Sequence, residues 1–422
     1  MAAASIILPF APTPTTARRA RPMRDARGHA VTAAAPEAIA RLDRFAEIIL
    51  RRGQGGEVAL DAAAESPDCP MALAAAATWH LLADTREGVL AARGLLRRAA
   101  ALADRLTPRE ALQLDALTAM ADDRPLDASL GFLELARVAP GDLCAGYVGQ
   151  LHCLNHGHFE IMLGLASRLA DANPGNGFAL GMLGFALDQN GRPELAEEAG
   201  AAALAADPTI AWVHHALAHA LHSLDRPLEA TTLLEAQAPC WDSCGSSMYT
   251  HNWWHLMLLR LRAGETGAVL GVYDRQIAPG AARSTSSFVN ASSLLARLEL
   301  RGVDAEGRWT ALADEAENRI GEHVLPFLDL HYTLALARAG RAAAVAELCA
   351  SAAAHAESAP PETRLLWREI GVPLIRAIGD FGLGRMAEAS RQLRALAAEA
   401  HRIGGSSMQR ALLAEIAGAA SR

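Results

Sequence analysis

A fixed step of 34 residues runs through the middle of this chain of 422 residues. Three prolines keep that step, Pro140, Pro174 and Pro208, and so do two glycines, Gly157 and Gly191. Repeats of this length are typical of helix–turn–helix units, which cannot bury their apolar faces alone. Stacked units contact only their neighbours and curve into a superhelix with a concave face. The step therefore predicts an all-α solenoid, wound as a right-handed superhelix.

The clearest unit covers 177–208 and matches the tetratricopeptide pattern. Gly184 lets the two helices of the unit approach each other, and Gly191 ends the first helix, since glycine adopts the left-handed conformation that closes helices. Ala196 and Ala203 are the small residues of the second helix. The predicted tetratricopeptide-like repeats cover 109–140, 143–174, 177–208, 211–241 and 250–277, with an insertion before the last.

Composition divides the chain into two parts. Over 36–422 alanine is abundant and aromatic residues make up only 5% of the chain, which favours one continuous helical domain. Residues 1–35 are rich in arginine and proline and contain one acid, Asp25. We expect this segment to be a disordered tail; a transit peptide or an upstream start codon would have the same composition.

Charge and cysteine content exclude several classes of function. The net charge is −8 and the pI is about 6.0, so nucleic acid is not an expected partner. The sequence contains no run of 18 apolar residues, so it predicts no membrane-spanning helix. The six cysteines have no disulfide-framework spacing, which favours a reducing compartment, and we expect a cytoplasmic protein. Neither a phosphate-binding loop nor a nucleophile elbow is present, and nothing predicts the oligomeric state.

Histidines provide the main functional signal. Six of the fifteen lie between residues 214 and 255. Trp212, His215, His219 and His222 follow one another at steps of three, four and three, which places them on one face of a helix. These positions of the first helix in a tetratricopeptide unit are the ones that face the concave groove. The residues predicted to bind a ligand there are Phe178, Phe185, Asp188, Trp212, His215, His219, His222, His251, Trp254 and His255.

Several interpretations of this groove stay open. It could bind an extended peptide or a small molecule, or His215 or His219 could transfer protons as an acid or base. His215, His219 and His251 could instead hold a transition metal, although no other feature requires a cofactor. The histidines could also be ordinary packing residues of a scaffold whose partner surface lies elsewhere. Binding is the leading hypothesis, and catalysis is the alternative.

Several segments match one family in residue type and spacing. They are His215-Ala-Leu-Ala-His219, Trp241, His251-Asn-Trp-Trp-His255, Gly264, Tyr273-Asp274, Ser293–Leu300, Arg308-Trp309 and Asp329-Leu-His331. With them, most of the chain after about residue 60 resembles the tetratricopeptide repeat protein 38 family. The resemblance implies a helical-repeat fold but no settled catalytic residues. Near the C-terminus Ser407 and Ala411 replace a histidine and an aspartate of the family pattern, which puts any activity of that pair in doubt.

Overall fold

The computed structural model describes residues 23–33, 35–305 and 307–420, and these residues are almost entirely helical. Two short strands, β1 (Met23–Arg24) and β2 (Ala30–Val31), pair antiparallel ahead of the helices. The helices are α1 Pro36–Arg51, α2 Val58–Glu65, α3 Pro70–Leu81, α4 Arg86–Ala100, α5 Pro108–Ala121, α6 Pro125–Val138, α7 Leu143–Asn155, α8 Phe159–Ala172, α9 Gly177–Gln189, α10 Pro193–Ala206, α11 Ala211–Ser223, α12 Pro227–Gln237, α13 Ser246–Arg262, α14 Thr266–Val272, α15 Thr285–Glu299, α16 Arg308–Glu317, α17 Pro326–Arg338, α18 Ala342–Ser358, α19 Pro361–Leu366, α20 Val372–Gly382, α21 Met386–Leu396 and α22 Ser407–Ala419. The predicted all-α helical-repeat fold is confirmed.

The helix pairs from α5 to α12 coincide with the repeats that the 34-residue step indicates. Gly157 and Gly191 turn between their helices with the same φ of +69°. At the equivalent turns of the neighbouring repeats, Asp123 and Asp225 adopt φ of 56° and 59°, which an aspartate tolerates. The pair after the insertion begins at Ser246, earlier than the predicted start at 250.

The paired helices form an inner and an outer layer. In α11 every residue from Ala211 to Leu221 is buried, and in α17 every residue from Pro326 to Ala337 is buried. The outer helix α10 buries only four small residues along one side. A helix that is buried all round must have neighbours on every side. The inner helices therefore face other parts of the chain where an open superhelix would face solvent.

Contacts between distant repeats close the array. The backbone N–H of Gly245 donates a 2.8 Å hydrogen bond to the carbonyl of Arg52. The Thr285 hydroxyl donates one of the same length to the carbonyl of Ala83. Both bonds join the first helices of the chain to its middle, across the face that the sequence predicts as an open groove. These contacts narrow the concave face that the sequence predicts.

The C-terminal segment completes the closure. The backbone N–H of Gly405 donates to the carbonyl of Leu154 at 3.2 Å, and that of Ser407 donates to the side-chain oxygen of Gln189 at 2.9 Å. The segment before α22 thus crosses the ends of α7 and α9. The interior of the array is left as a partly open central cavity.

The N-terminal residues that the structure describes are ordered, against the prediction of a tail over 1–35. Thr32 donates from its backbone N–H and its hydroxyl to the two carboxylate oxygens of Glu110, at 2.7 and 2.8 Å. Asp43 accepts the backbone N–H of Ala26 at 3.0 Å. The predicted tail also includes residues 1–22, which lie outside the described residues. Among the described helices, none combines the length and the apolar character that crossing a membrane requires.

Candidate functional site

A central cavity of about 1000 Å³, a volume that includes solvent at its open side, lies between the inner helices. Helix ends and inner faces from α1 through α22 contribute to its wall, so no single repeat forms it. Its aromatic and polar lining includes Arg52, Asp84, His152, Asn155, Phe185, Trp212, His215, His251, Phe327 and Gln409. Mostly apolar walls with a few convergent polar groups are typical of small-molecule sites.

Two further cavities adjoin this one, and Asp84 lines all three. One runs past Trp79 and Arg283 on the side of α1 and α15. The other runs past His323 and Ser351 between α4 and α18. The loop after α3, where Asp84 adopts a φ of 52°, therefore stands where the three spaces meet.

Arg52 and Asp84 are the charged groups of the central cavity. The guanidinium of Arg52 donates to the Ser247 hydroxyl at 2.8 Å, and no carboxylate of the described residues lies within ion-pair distance of it. Burial raises the pKa of Asp84 to about 7, and the positive charge of Arg52 offsets only part of that effect. Near neutral pH the cavity therefore contains a fixed cation beside a carboxyl group that is partly protonated.

Four histidines pack together on α11 and α13. His215 and His219 lie on one face of α11, and His251 and His255 lie on the facing side of α13. The ring centre of His255 is 4.7 Å from those of His215 and His219. Burial lowers the pKa of His215 and His255 well below the usual value and that of His251 to about 4, and the neighbouring imidazoles add to the effect. These three rings are neutral at pH 7.

Three of these four histidines bring ligand atoms to one point. One ring nitrogen from each of His215, His251 and His255 lies within 4.8 Å of the others. The sequence offered His215, His219 and His251 as metal candidates, and this group has His255 in place of His219. The Nδ1 atom of His219 lies 3.3 Å from a carboxylate oxygen of Asp188, so this ring is directed towards α9.

Asp188 belongs to a buried polar network behind the cavity wall. It accepts hydrogen bonds from the Ser223 hydroxyl at 2.6 Å and from the Gln189 side chain at 2.7 Å. Burial raises the pKa of Asp188, but its hydrogen bonds with His219, Ser223 and Gln189 outweigh burial and leave that pKa below the usual value. The carboxylate therefore orients His219 and is not available to the cavity.

The predicted ligand-binding residues fall into three groups. Four line the central cavity: Phe185, Trp212, His215 and His251. Four lie buried outside its lining: Asp188, His219, Trp254 and His255. The other two lie elsewhere, because Phe178 packs under the guanidinium of Arg51 and His222 is half-buried near the end of α11.

The two adjacent tryptophans, Trp253 and Trp254, lie in different surroundings. Trp254 is fully buried, stacked on the His251 ring at 5.4 Å and covered by the guanidinium of Arg297 at 5.6 Å. Trp253 is half-buried and packs edge-on against Trp241. Trp254 thus supports His251 from behind and does not contact the cavity.

A second polar arrangement lines the cavity between α4 and α18. The Ser351 hydroxyl lies 2.7 Å from Nε2 of His323, and Nδ1 of the same ring lies 2.6 Å from a carboxylate oxygen of Asp329. Serine, histidine and aspartate joined in this order form the chain of contacts that activates a hydroxyl nucleophile. His355, one turn after Ser351, lines the same space and has a buried Nε2 atom without a hydrogen-bond partner in the described chain.

Sequence reasoning missed Arg52, Asp84, His323 and Ser351. None of them lies in the clear repeats, and each reaches a cavity only because distant segments meet. Asp329 was noticed as part of a family segment, but nothing in the sequence pairs it with a histidine six residues earlier. Finding these residues from the sequence would require knowing how the array curves, because the curvature decides which distant segments meet. The pattern of a single repeat does not contain that information.

No protein-family model matches this chain. Two solved structures of MamA are similar to part of it. A MamA point mutant is 20% identical, with 40% of this chain and 96% of the MamA chain covered and a TM-score of 0.28. The structure MamA MSR-1 C2 is 19% identical, with 39% and 95% covered and a TM-score of 0.27. TM-scores this low do not support a fold assignment, so the assignment of the fold depends on the helices observed in this chain. Membership of the tetratricopeptide repeat protein 38 family stays a prediction.

Proposed function

We propose that this protein binds a small molecule with an anionic group in its central cavity. The observation that carries the proposal is the guanidinium of Arg52, which lines the cavity without a carboxylate partner in the described chain. Arg52 is half-buried in the cavity wall, and an anionic ligand would supply the carboxylate or other counter-ion that it lacks. The first helices and the C-terminal segment narrow the cavity, which favours a compact ligand over an extended peptide.

The wall of the cavity also favours a ligand with an aromatic or planar part. Phe185, Trp212 and Phe327 offer ring surfaces, on which planar groups stack. Two buried nitrogens of the wall, Nε1 of Trp212 and Nδ1 of His215, have no hydrogen-bond partner in the described chain. Unpaired polar atoms at a cavity wall are expected where a ligand or ordered water supplies the missing bond.

The test compares Arg52→Met with Arg97→Met, which removes an exposed arginine of α4. Benzoate and indole-3-acetate serve as probes, and thermal stability and Trp fluorescence report binding. We expect both probes to stabilise the wild type and the Arg97 variant, and to bind the Arg52 variant about tenfold more weakly, the loss of one charge-assisted contact. Equal binding by the two variants, or no binding by the wild type, contradicts the proposal.

Hydrolysis of an acyl compound is the second candidate function. Its specific support is the continuous chain from Ser351 through His323 to Asp329. In such a reaction the Ser351 oxygen attacks the acyl carbon and His323 takes the hydroxyl proton and passes it to the leaving group. Water then releases the acyl group from the serine oxygen.

A fluorophosphonate probe tests this second candidate, because it reacts with activated serine hydroxyls. We expect labelling of the wild type and of Ser358→Ala, a variant at the exposed end of the same helix, and no labelling of Ser351→Ala. A wild-type protein that the probe leaves unlabelled removes the hydrolase candidate. That result would leave the ligand-binding proposal untouched.

A further inference from the structure

Three imidazole nitrogens converge beside the central cavity at distances that suit a metal ion. The Nε2 atom of His251 lies 3.1 Å from Nε2 of His215 and 3.2 Å from Nε2 of His255. In a tetrahedral site with metal–nitrogen bonds of 2.0–2.1 Å, two ligand nitrogens are about 3.3 Å apart. The spacing of the rings is therefore already that of neighbouring ligands of one ion.

A hydrogen bond from outside the cluster sets the tautomer of His251. Asn290 donates its amide N–H to the Thr250 hydroxyl at 3.1 Å, which leaves its carbonyl oxygen facing Nδ1 of His251 at 2.9 Å. Nδ1 must then carry the proton, so the lone pair of this ring is on Nε2 and points into the cluster. Metal-binding histidines usually have their second nitrogen bonded to a carbonyl or carboxylate in this way.

The cluster is poorly satisfied by protein groups alone. The Nδ1 atoms of His215 and His255 are buried and have no hydrogen-bond partner in the described part of the chain. Both rings direct Nε2 at the same lone pair of His251. Burying three rings with so few hydrogen bonds is unfavourable. An ion accepting all three Nε2 lone pairs would offset that cost.

We propose that His215, His251 and His255 bind one first-row transition-metal ion through their Nε2 atoms. Neutral imidazoles suit zinc, copper, iron and nickel, and they suit magnesium and calcium poorly. His215 and His251 line the central cavity, whereas His255 lies behind them. The remaining coordination position would be reached from the cavity, as in sites that bind water or substrate. The proposal goes beyond anion binding and does not depend on it, because all three ligands come from α11 and α13.

The experiment uses the full chain without an affinity tag. Metal content is measured after purification, and zinc affinity is measured in competition with a chromophoric chelator. We expect about one zinc per chain in the wild type and in His222→Gln, which alters a half-buried histidine of the same helix. His251→Gln and His255→Gln should each lose the ion, because each removes one of three ligands.

Asn290→Ala is the second variant, and it leaves all three ligands in place. It should lower zinc affinity about 10–100-fold, as loss of an orienting partner does at other sites. Cobalt substitution adds a readout that a structural role would not produce, since four-coordinate cobalt absorbs strongly in the visible range. Zinc binding that is absent from the wild type, or unchanged in His255→Gln, overturns the proposal. Benzoate binding measured on the same variants keeps this outcome separate from that of the ligand proposal.

Discussion

Closure of the array can be tested at one pair of glycines. Gly157 and Gly191 occupy the same turn in consecutive repeats and share a φ of +69°. A Cβ atom added at Gly191 meets nothing within 4 Å. The same atom at Gly157 would lie 2.5 Å from the backbone carbonyl oxygen of His401, on the segment that closes the interior. The pair therefore separates the cost of the backbone conformation from the cost of the contact.

The two substitutions differ in expected magnitude. Alanine in the left-handed conformation costs about 1–2 kcal/mol, and stiffening of the unfolded chain returns about 0.4–1 kcal/mol. Gly191→Ala should therefore lower the free energy of unfolding by about 1 kcal/mol. Gly157→Ala has the same cost and must also displace a backbone atom, which adds about 1–3 kcal/mol, the usual cost of overpacking. A backbone carbonyl cannot rotate away as a flexible side chain would.

Urea unfolding of both variants measures this difference, and amide hydrogen exchange shows where it arises. In Gly157→Ala we expect faster exchange over residues 398–406, and in Gly191→Ala no change there. Equal losses of stability, with the exchange of 398–406 unaltered in both, would refute the closed arrangement. That result would instead favour an open groove and a peptide ligand.

Substitutions at two further sites test the interior. The pKa of Asp84 is raised to about 7, so the folded protein keeps a proton that the unfolded chain releases near pH 4, and stability falls as pH rises from about 4 to 7. Asp84→Asn should remove this pH-dependent loss, so above pH 7 its free energy of unfolding should exceed that of the wild type by about 2 kcal/mol. This is less than the whole pKa shift would give, because water in the cavity screens the charge. Melting curves from pH 4 to 8 measure the difference. Arg297 donates to Glu415 at 2.8 Å and to the carbonyl of Met408 at 2.9 Å, so Arg297→Met should cost about 2 kcal/mol and expose α22 to proteolysis. Glu415→Gln, which keeps an acceptor, should cost less.

The repeat pattern predicted local structure well. Proline and glycine act within a few residues, so Pro140, Pro174 and Pro208 mark helix ends whatever the rest of the chain does. The predicted repeats and helices α5 to α12 therefore coincide. The shared faces of His215 with His219 and of His251 with His255 also follow from helical geometry alone.

Which histidines come together depends on contacts between helices, and these contacts cannot be predicted from the sequence pattern. His219 and His255 are equally placed by periodicity, and only the position of Asp188 decides that His219 turns towards α9. Likewise, Trp254 is buried in the core, where the guanidinium of Arg297 from α15 lies over its ring. Each choice is made by a side chain on another helix, so helix phase could not settle it.

The ordered N-terminal segment was missed for a related reason. Its arginine-rich composition is that of a tail, yet Asp25 bonds the backbone of its own turn and Thr32 bonds Glu110 in α5. Those partners lie in the folded domain, and composition counts only the segment itself. A segment with little apolar surface can be ordered when the domain offers it specific polar partners.

Closure also explains where chemistry can take place in this protein. In an open array the inner faces are the natural binding surface, and polar residues on them cost little. Here α11 and α17 are buried on every side, so each polar group kept on an inner helix must be bonded, or it destabilises the fold. Asp188 and Asn290 meet that requirement within the protein, whereas the Nδ1 atoms of His215 and His255 have no partner among the described residues. Arg52, at the end of α1, bonds the Ser247 hydroxyl and has no carboxylate partner in the described chain. Arg52 and His215 line the central cavity and His255 lies behind His215, so a small ligand and a metal ion are the partners that could reach these groups without opening the array.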